Sequence, residues 1–277
     1  MNKFADDTKI ANTILSDADV QNLQQCLNRL VTWADTWGMS FNVDKCKVMH
    51  IGRNNPQANY MMSGVQLKET VSERDIGVKV HQSLRPSVQC TEASQRANAV
   101  LGQVTRAFHF RDRTTFLKLY KQYVRPHLEF AVPAWSPWTQ GDRDTIEKVQ
   151  RRAVQMVSGL KAGSYEEKLK ELDMLSLEGR RTLYDMVQSF KIIRGFDDVK
   201  ATTWFTLVGD TPHLRLTRNT SDPLNIVRQN PRTEIRRSFF SNRVVDTWNS
   251  LPSDVKHSKT ITMFKSRVRE LIKNNLI

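Results

Sequence analysis

Two adjacent carboxylates, Asp6 and Asp7, stand in the segment Phe4-Ala5-Asp6-Asp7-Thr8-Lys9-Ile10. Along a strand, neighbouring side chains point to opposite faces, but at the tip of a tight hairpin both can converge on one site. Such a pair offers hard oxygen ligands to Mg²⁺. The ion stabilises charge on a phosphoryl group in transfer, and two ions a few ångströms apart also serve the attacking and leaving oxygens. An Asp-Asp pair is equally an ordinary polar turn, so its meaning depends on what surrounds it. Other chemistries find no motif: there is no GxSxG elbow and no GxxxxGK phosphate loop. The six histidines lack paired metal-ligand spacing. Cys26, Cys46 and Cys90 are odd in number and far apart, as expected of reduced thiols in an intracellular compartment.

The second feature with chemical content is charge. The 277-residue chain carries a formal net charge of +13, unevenly distributed: residues 1–90 are almost neutral, residues 91–200 are basic and residues 201–277 are the most basic for their length. That gradient favours a polyanionic partner. Three arginine doublets, Arg151–Arg152, Arg180–Arg181 and Arg236–Arg237, lie on or beside expected helices. As phosphate contacts they would give affinity without sequence specificity; as solvent-facing residues they need no partner. Arg236, Arg237 and Arg243 are the best placed for a nucleic-acid face. The six tryptophans offer stacking surfaces, but core anchoring accounts for most of them. A membrane is not expected. The uncharged stretch 130–141 is short and holds two prolines, and Lys3, Asp6, Asp7 and Lys9 interrupt any apolar leader.

The elements that must position these residues follow from periodicity. Val20, Leu23, Leu27, Leu30 and Ala34 make one apolar helical face over 17–37, with Asp17 as a cap, and Gly38 supplies a turn. A strand is expected over 41–51, then hairpins around Gly64 and Gly77 within 61–80. From 91 the period becomes helical: one or two helices broken near 111–114 and ended by Pro126, then a helix over 142–159 capped by Gly159. Ser164 with Glu167 forms a capping-box pattern, and Leu183 to Ile193 marks another helix. Residues 197–233, with three prolines, read as a long irregular segment before a last helix over 262–274. The expected class is α+β, with hairpins and a helix in 1–90, a helical region in 91–160 and a basic helical region in 161–277.

Several of these segments resemble one family. FADDTK resembles the catalytic hairpin of reverse transcriptases of non-long-terminal-repeat retrotransposons, the jockey-like and long interspersed elements. WADTWGMSFNVDKCKVMHIG (33–52) is similar to the next palm motif, and ERDIGVKV (73–80) to the primer-grip hairpin, although Asp75 and Ile76 stand where the family usually has an aromatic-leucine pair. LYKQYVRPHLEFAVPAW (119–135), IEKVQRRAVQMVSGL (146–160), YEEKLKELDMLSLEGRR (165–181) and WNSLP (248–252) are similar to its thumb and post-thumb region. The order and spacing of the motifs, more than any single one, carry the likeness.

The resemblance implies a partial palm followed by a helical thumb and C-terminal region. It implies Asp6 and Asp7 as ligands of Mg²⁺, Phe4 and Ala5 as the hairpin positions near the primer end, and Gly77 within the grip. It implies Lys45 as the group that neutralises departing pyrophosphate, which suits a lysine beside a triphosphate. RNA template, DNA primer and deoxynucleoside triphosphates are the partners of the full-length relative, in nucleus or cytoplasm. In that family the fingers and a further metal-binding aspartate precede the FADD hairpin, whereas three residues precede it here. The expectation is therefore the C-terminal part of an RNA-directed DNA polymerase that is inactive alone. The alternative is a non-catalytic nucleic-acid-binding module with vestigial aspartates.

Overall fold

In the computed structural model the chain divides into two units, Met1–Arg85 and Pro86–Ile277. The structure describes residues 2–4 (backbone only), 7–108, 112–211 and 222–277. Ala5, Asp6 and the Phe4 side chain therefore lie outside the described residues, as does 212–221 of the irregular segment.

The first unit opens with strands β1 (Asn2–Phe4) and β2 (Asp7–Lys9), antiparallel with Phe4 opposite Asp7. Helix α1 (Asp17–Thr36) follows; its cap is Ser16 rather than Asp17, because the Ser16 hydroxyl accepts from the Asp19 amide while Asp19 reaches back to the Ser16 amide. The expected strand over 41–51 shrinks to β3 (Lys47–Val48), since the Asn42 carbonyl accepts from the Lys45 amide and winds Val43–Lys45 into a 3₁₀ turn. Strands β4 (Met61–Met62), β5 (Val65–Gln66), β6 (Lys68–Glu69), β7 (Ser72–Asp75) and β8 (Val78–His81) complete the unit. β4 pairs with β5 and β7 with β8 antiparallel, and β3 with β6 parallel. Isolated two-stranded ladders are marginal in water. Here Leu27 of α1 packs with Tyr60, Met62 and Leu67, and the Gln24 amide clamps Met61 through two 2.8 Å bonds, one to its amide and one to its carbonyl.

The second unit is helical: α2 (Ser87–Ala107), α3 (Arg113–Leu119), α4 (Arg125–Glu129), α5 (Val132–Trp135), α6 (Gln140–Gln155), α7 (Tyr165–Glu171) and α8 (Leu177–Ile193). Beyond them come α9 (Ala201–Trp204), α10 (Glu234–Ser238), α11 (Phe240–Arg243), α12 (Val245–Ser250), α13 (Ser253–Lys256) and α14 (Ile261–Lys273). The chain is thus mixed helix and strand, an α+β protein. Pro126 does not end its helical run. A π turn over Tyr120–Val124 joins α3 to α4, and the proline falls in the first turn of α4, where a missing N–H costs nothing. The helix expected to reach Gly159 ends at Gln155, and Gly159 (φ +76) turns the chain beyond it. The capping box at Ser164 and Glu167 forms as expected.

Residues 91–160 and 161–277, expected as separate regions, belong to one unit. Its core holds Phe190 of α8 stacked on Phe264 of α14 at 4.2 Å, beside the fully buried Trp248. Trp248 Nε1 donates to the Leu224 carbonyl (2.8 Å), and Asn249 bonds both the amide and the carbonyl of Ile226. The WNSLP segment is therefore a structural anchor, fastening the irregular segment to the helices. Truncating such a tryptophan costs about 3–5 kcal/mol.

Candidate nucleic-acid interface

In the first unit, strand pairing alone positions the N-terminal candidates. Asp7 lies exposed on β2 at the end of the β1–β2 ladder. Lys45 is exposed in the 3₁₀ turn before β3. Gly77 occupies the second position of the two-residue β7–β8 turn at φ +82, after Ile76 at φ +45. Arg74 braces this turn, donating from Nη1 to the Gly77 carbonyl at 3.1 Å. Lys9 on β2 forms an ion pair with Asp75 on β7, which brings the hairpin bearing Asp7 beside the hairpin bearing Gly77. Asp75 thus has a local role as the partner of Lys9.

The arginines of the second unit divide sharply. Arg151 and Arg152 are exposed at the C-terminal end of α6, where cations complement the helix dipole, and Arg151 lies over the Tyr165 ring at 5.1 Å. Arg236 and Arg237 are exposed on α10; Arg236 covers the Phe239 ring and Arg237 pairs with Glu234 at 2.8 Å. Arg243 differs. Its Nε and Nη2 grip both oxygens of the buried Asp185 at 2.8 Å each, and it also donates to the Pro133 and Ser238 carbonyls. The expectation of Arg243 as a phosphate contact gives way to a bridge between α5, α8 and α11, because its donors are already satisfied inside the protein.

A basic cluster that composition did not single out lies between α3–α4, α8 and α14. Lys121, Arg125, Arg180 and Arg269 line a cavity of about 130 Å³ together with Asp173. Arg180 and Arg125 share the Glu129 carboxylate, to which Tyr184 also donates at 3.1 Å. Asp173 is shared by Arg269 (3.0 Å) and Lys273 (2.8 Å). Cations thus outnumber the carboxylates that serve them. Burial first, and then the neighbouring Arg125 and Arg269, push the Lys121 ammonium below its ordinary pKa, as expected where like charges crowd. Asp173 is held low by its hydrogen bond from Lys273 and by Arg269. The sequence signal was the spacing Lys121, Arg125, Glu129, one helical turn apart on a single face. Such a crowd of guanidinium and ammonium groups binds phosphate by counter-charge and geometry, without base contacts.

Among the described residues no group of three or more His, Cys, Asp or Glu side chains converges as a metal site. Asp7 thus stands without a described set of co-ligands for Mg²⁺. No helix among those residues is long and apolar enough to cross a membrane. Compared with known proteins, the chain matches no family profile, no curated protein and no solved structure.

Proposed function

We propose that the chain is the C-terminal part of an RNA-directed DNA polymerase of the non-long-terminal-repeat retrotransposon type, with a partial palm in its first unit and a thumb-like second unit that grips nucleic acid. The reading rests on the Lys9–Asp75 ion pair, which sets the aspartate-bearing hairpin beside the ERDIGVKV hairpin, the two motifs that the resemblance assigns to the metal site and the primer end. The exposed Arg151, Arg152, Arg236 and Arg237 support electrostatic binding of the template–primer duplex. On this reading these 277 residues bind the duplex and do not extend it by themselves.

Fluorescence anisotropy of an RNA–DNA duplex across a salt series tests the binding. The log of affinity falls linearly with log salt, and Arg151→Ala with Arg152→Ala lowers the slope by about 1.8 in total, from about 0.9 per lost phosphate contact. An unchanged slope in that variant, and in Arg236→Ala with Arg237→Ala, overturns the interface. Primer extension with Mg²⁺ tests the rest: template-dependent incorporation that Asp6→Ala abolishes would refute the inactivity.

A further inference from the structure

A cavity of about 340 Å³ opens in the second unit between α6, α8, α10, α11 and α12. Charge pairing along its wall is nearly complete. Glu178 pairs with Arg143 at 3.1 Å, Asp185 with Arg243 at 2.8 Å and Glu234 with Arg237 at 2.8 Å, while Asp246 pairs with Arg228. Every lining carboxylate therefore has its own cation, and one lining cation is left over.

That cation is Arg181, with 5% of its surface exposed. Its Nη1 and Nη2 are buried and make no hydrogen bond. Glu147 is the carboxylate that attracts it most, but Oε1 of Glu147 is taken by the Tyr165 hydroxyl at 2.5 Å and the Leu177 amide at 3.1 Å. Burial lowers the proton affinity of the Arg181 guanidinium, and the nearby Glu147 and Glu178 carboxylates offset only part of that. A guanidinium nonetheless stays protonated, and its fork of donors matches an oxyanion. A second unpaired atom belongs to another residue of the same lining: Asn242 Oδ1 is buried without a donor, and the Nδ2 bond to the Arg236 carbonyl (2.8 Å) fixes which way the amide points. Two residues that line one cavity thus carry unsatisfied buried groups of opposite hydrogen-bonding sense, which a ligand that both accepts and donates would satisfy.

We propose that this cavity binds a phosphate monoester, its oxygens on the Arg181 fork and a hydroxyl of the phosphate or of its organic part donating to Asn242 Oδ1. The volume exceeds what a bare anion fills and falls at the lower end of ordinary small-ligand sites. The inference does not depend on the polymerase reading, and its source divides two ways: a free phosphorylated metabolite, or the phosphorylated end of a nucleic-acid strand.

Inorganic phosphate, titrated into the full chain and read by calorimetry and by thermal shift, is the probe. Removing an unpaired buried charge should leave Arg181→Met at least as stable as the parent in phosphate-free buffer. Phosphate should bind the parent saturably and Arg181→Met about 10- to 100-fold more weakly, as charge-assisted hydrogen bonds are lost. The exposed variant Arg29→Ala, outside both proposed binding surfaces, should keep the parent's affinity. Should Arg181→Met fail to fold, Arg181→Lys keeps the charge and loses the fork, and a roughly tenfold loss is expected there. Equal phosphate affinity in the parent and the Arg181 variants overturns the site, and acetate binding as well as phosphate overturns the ligand class. A 5′-phosphorylated oligonucleotide competing better than its 5′-hydroxyl counterpart assigns the site to strand ends; equal competition by the two assigns it to small phosphates.

Discussion

Replacing Arg243 by methionine separates a structural arginine from a phosphate-binding one. In the folded chain its guanidinium closes two 2.8 Å bonds on Asp185, which is 8% exposed, and a 2.7 Å bond on the Pro133 carbonyl. Breaking one partner of a buried pair costs about 3–5 kcal/mol, because the other charge stays behind uncompensated. For a unit the length of Pro86–Ile277, each kcal/mol shifts Tm by about 2–4 °C, so the variant should melt roughly 6–20 °C lower. The loss should depend on pH. Burial already raises the Asp185 pKa despite Arg243, and without Arg243 it rises further. A carboxyl whose folded pKa exceeds its unfolded value of about 3.9 loses stability as pH climbs through the folded value. The deficit of Arg243→Met should thus be largest at neutral pH and narrow on acidification. Adding Asp185→Asn should recover part of it at pH 7. Thermal unfolding followed by circular dichroism at several pH values measures all three. A variant that melts within about 2 °C of the parent, while its nucleic-acid salt slope falls by about 0.9, would refute the argument and return Arg243 to the phosphate face.

Other predictions follow from single contacts. Ile76 holds φ +45 in a two-residue turn that favours Asn-Gly, so Ile76→Asn should stabilise the first unit by about 0.5–1 kcal/mol in urea titrations; no gain would mean the turn is not strained. Tyr120→Phe leaves Oε1 of the fully buried Gln150 without its 2.8 Å donor and should cost about 1–3 kcal/mol, measured the same way. Burial, reinforced by the Asp142 charge, pushes the Cys90 thiol up to about 12. A thiol-specific reagent at pH 8 should therefore modify the half-buried Cys26 and Cys46 in the native protein and reach Cys90 only after denaturation.

How much of this was legible in the sequence follows the range of the interactions involved. α1, the capping box at Ser164 and the turns at Gly64 and Gly77 depend on residues within a few positions of one another, and periodicity located them. The strand expected over 41–51 is cut to Lys47–Val48 because Val43–Lys45 wind into a 3₁₀ turn, while Phe41, Val43 and Val48 still supply the apolar contacts with the α1 cluster that the pattern signals. Pro126 misled for a related reason: a proline ends a helix only where its N–H is needed, and the π turn before it removed that need. Of the candidate site, Asp7, Lys45, Arg151, Arg152, Arg236 and Arg237 are exposed, whereas the pairing of Lys9 with Asp75 spans the whole first unit and left no local trace.

The arginine doublets carry this distinction furthest. Adjacent helical residues diverge by about 100°, so the two side chains of a doublet point in different directions, and the fate of each depends on what lies on its side of the helix. α6 ends at the protein surface, and Arg151 and Arg152 both reach solvent. α8 runs between neighbours, and there Arg180 meets Glu129 of α4 while Arg181 is buried among the residues that line the cavity beside α10–α12. The same dipeptide thus yields two surface cations in one helix, and an internal ion pair plus a buried guanidinium without a hydrogen bond at Nη1 or Nη2 in another. The net charge of +13 counts all of these alike, yet only the exposed set can add to a salt-dependent slope. The partners of Arg180, Arg181 and Arg243 must show instead in stability and in the binding of a single small anion.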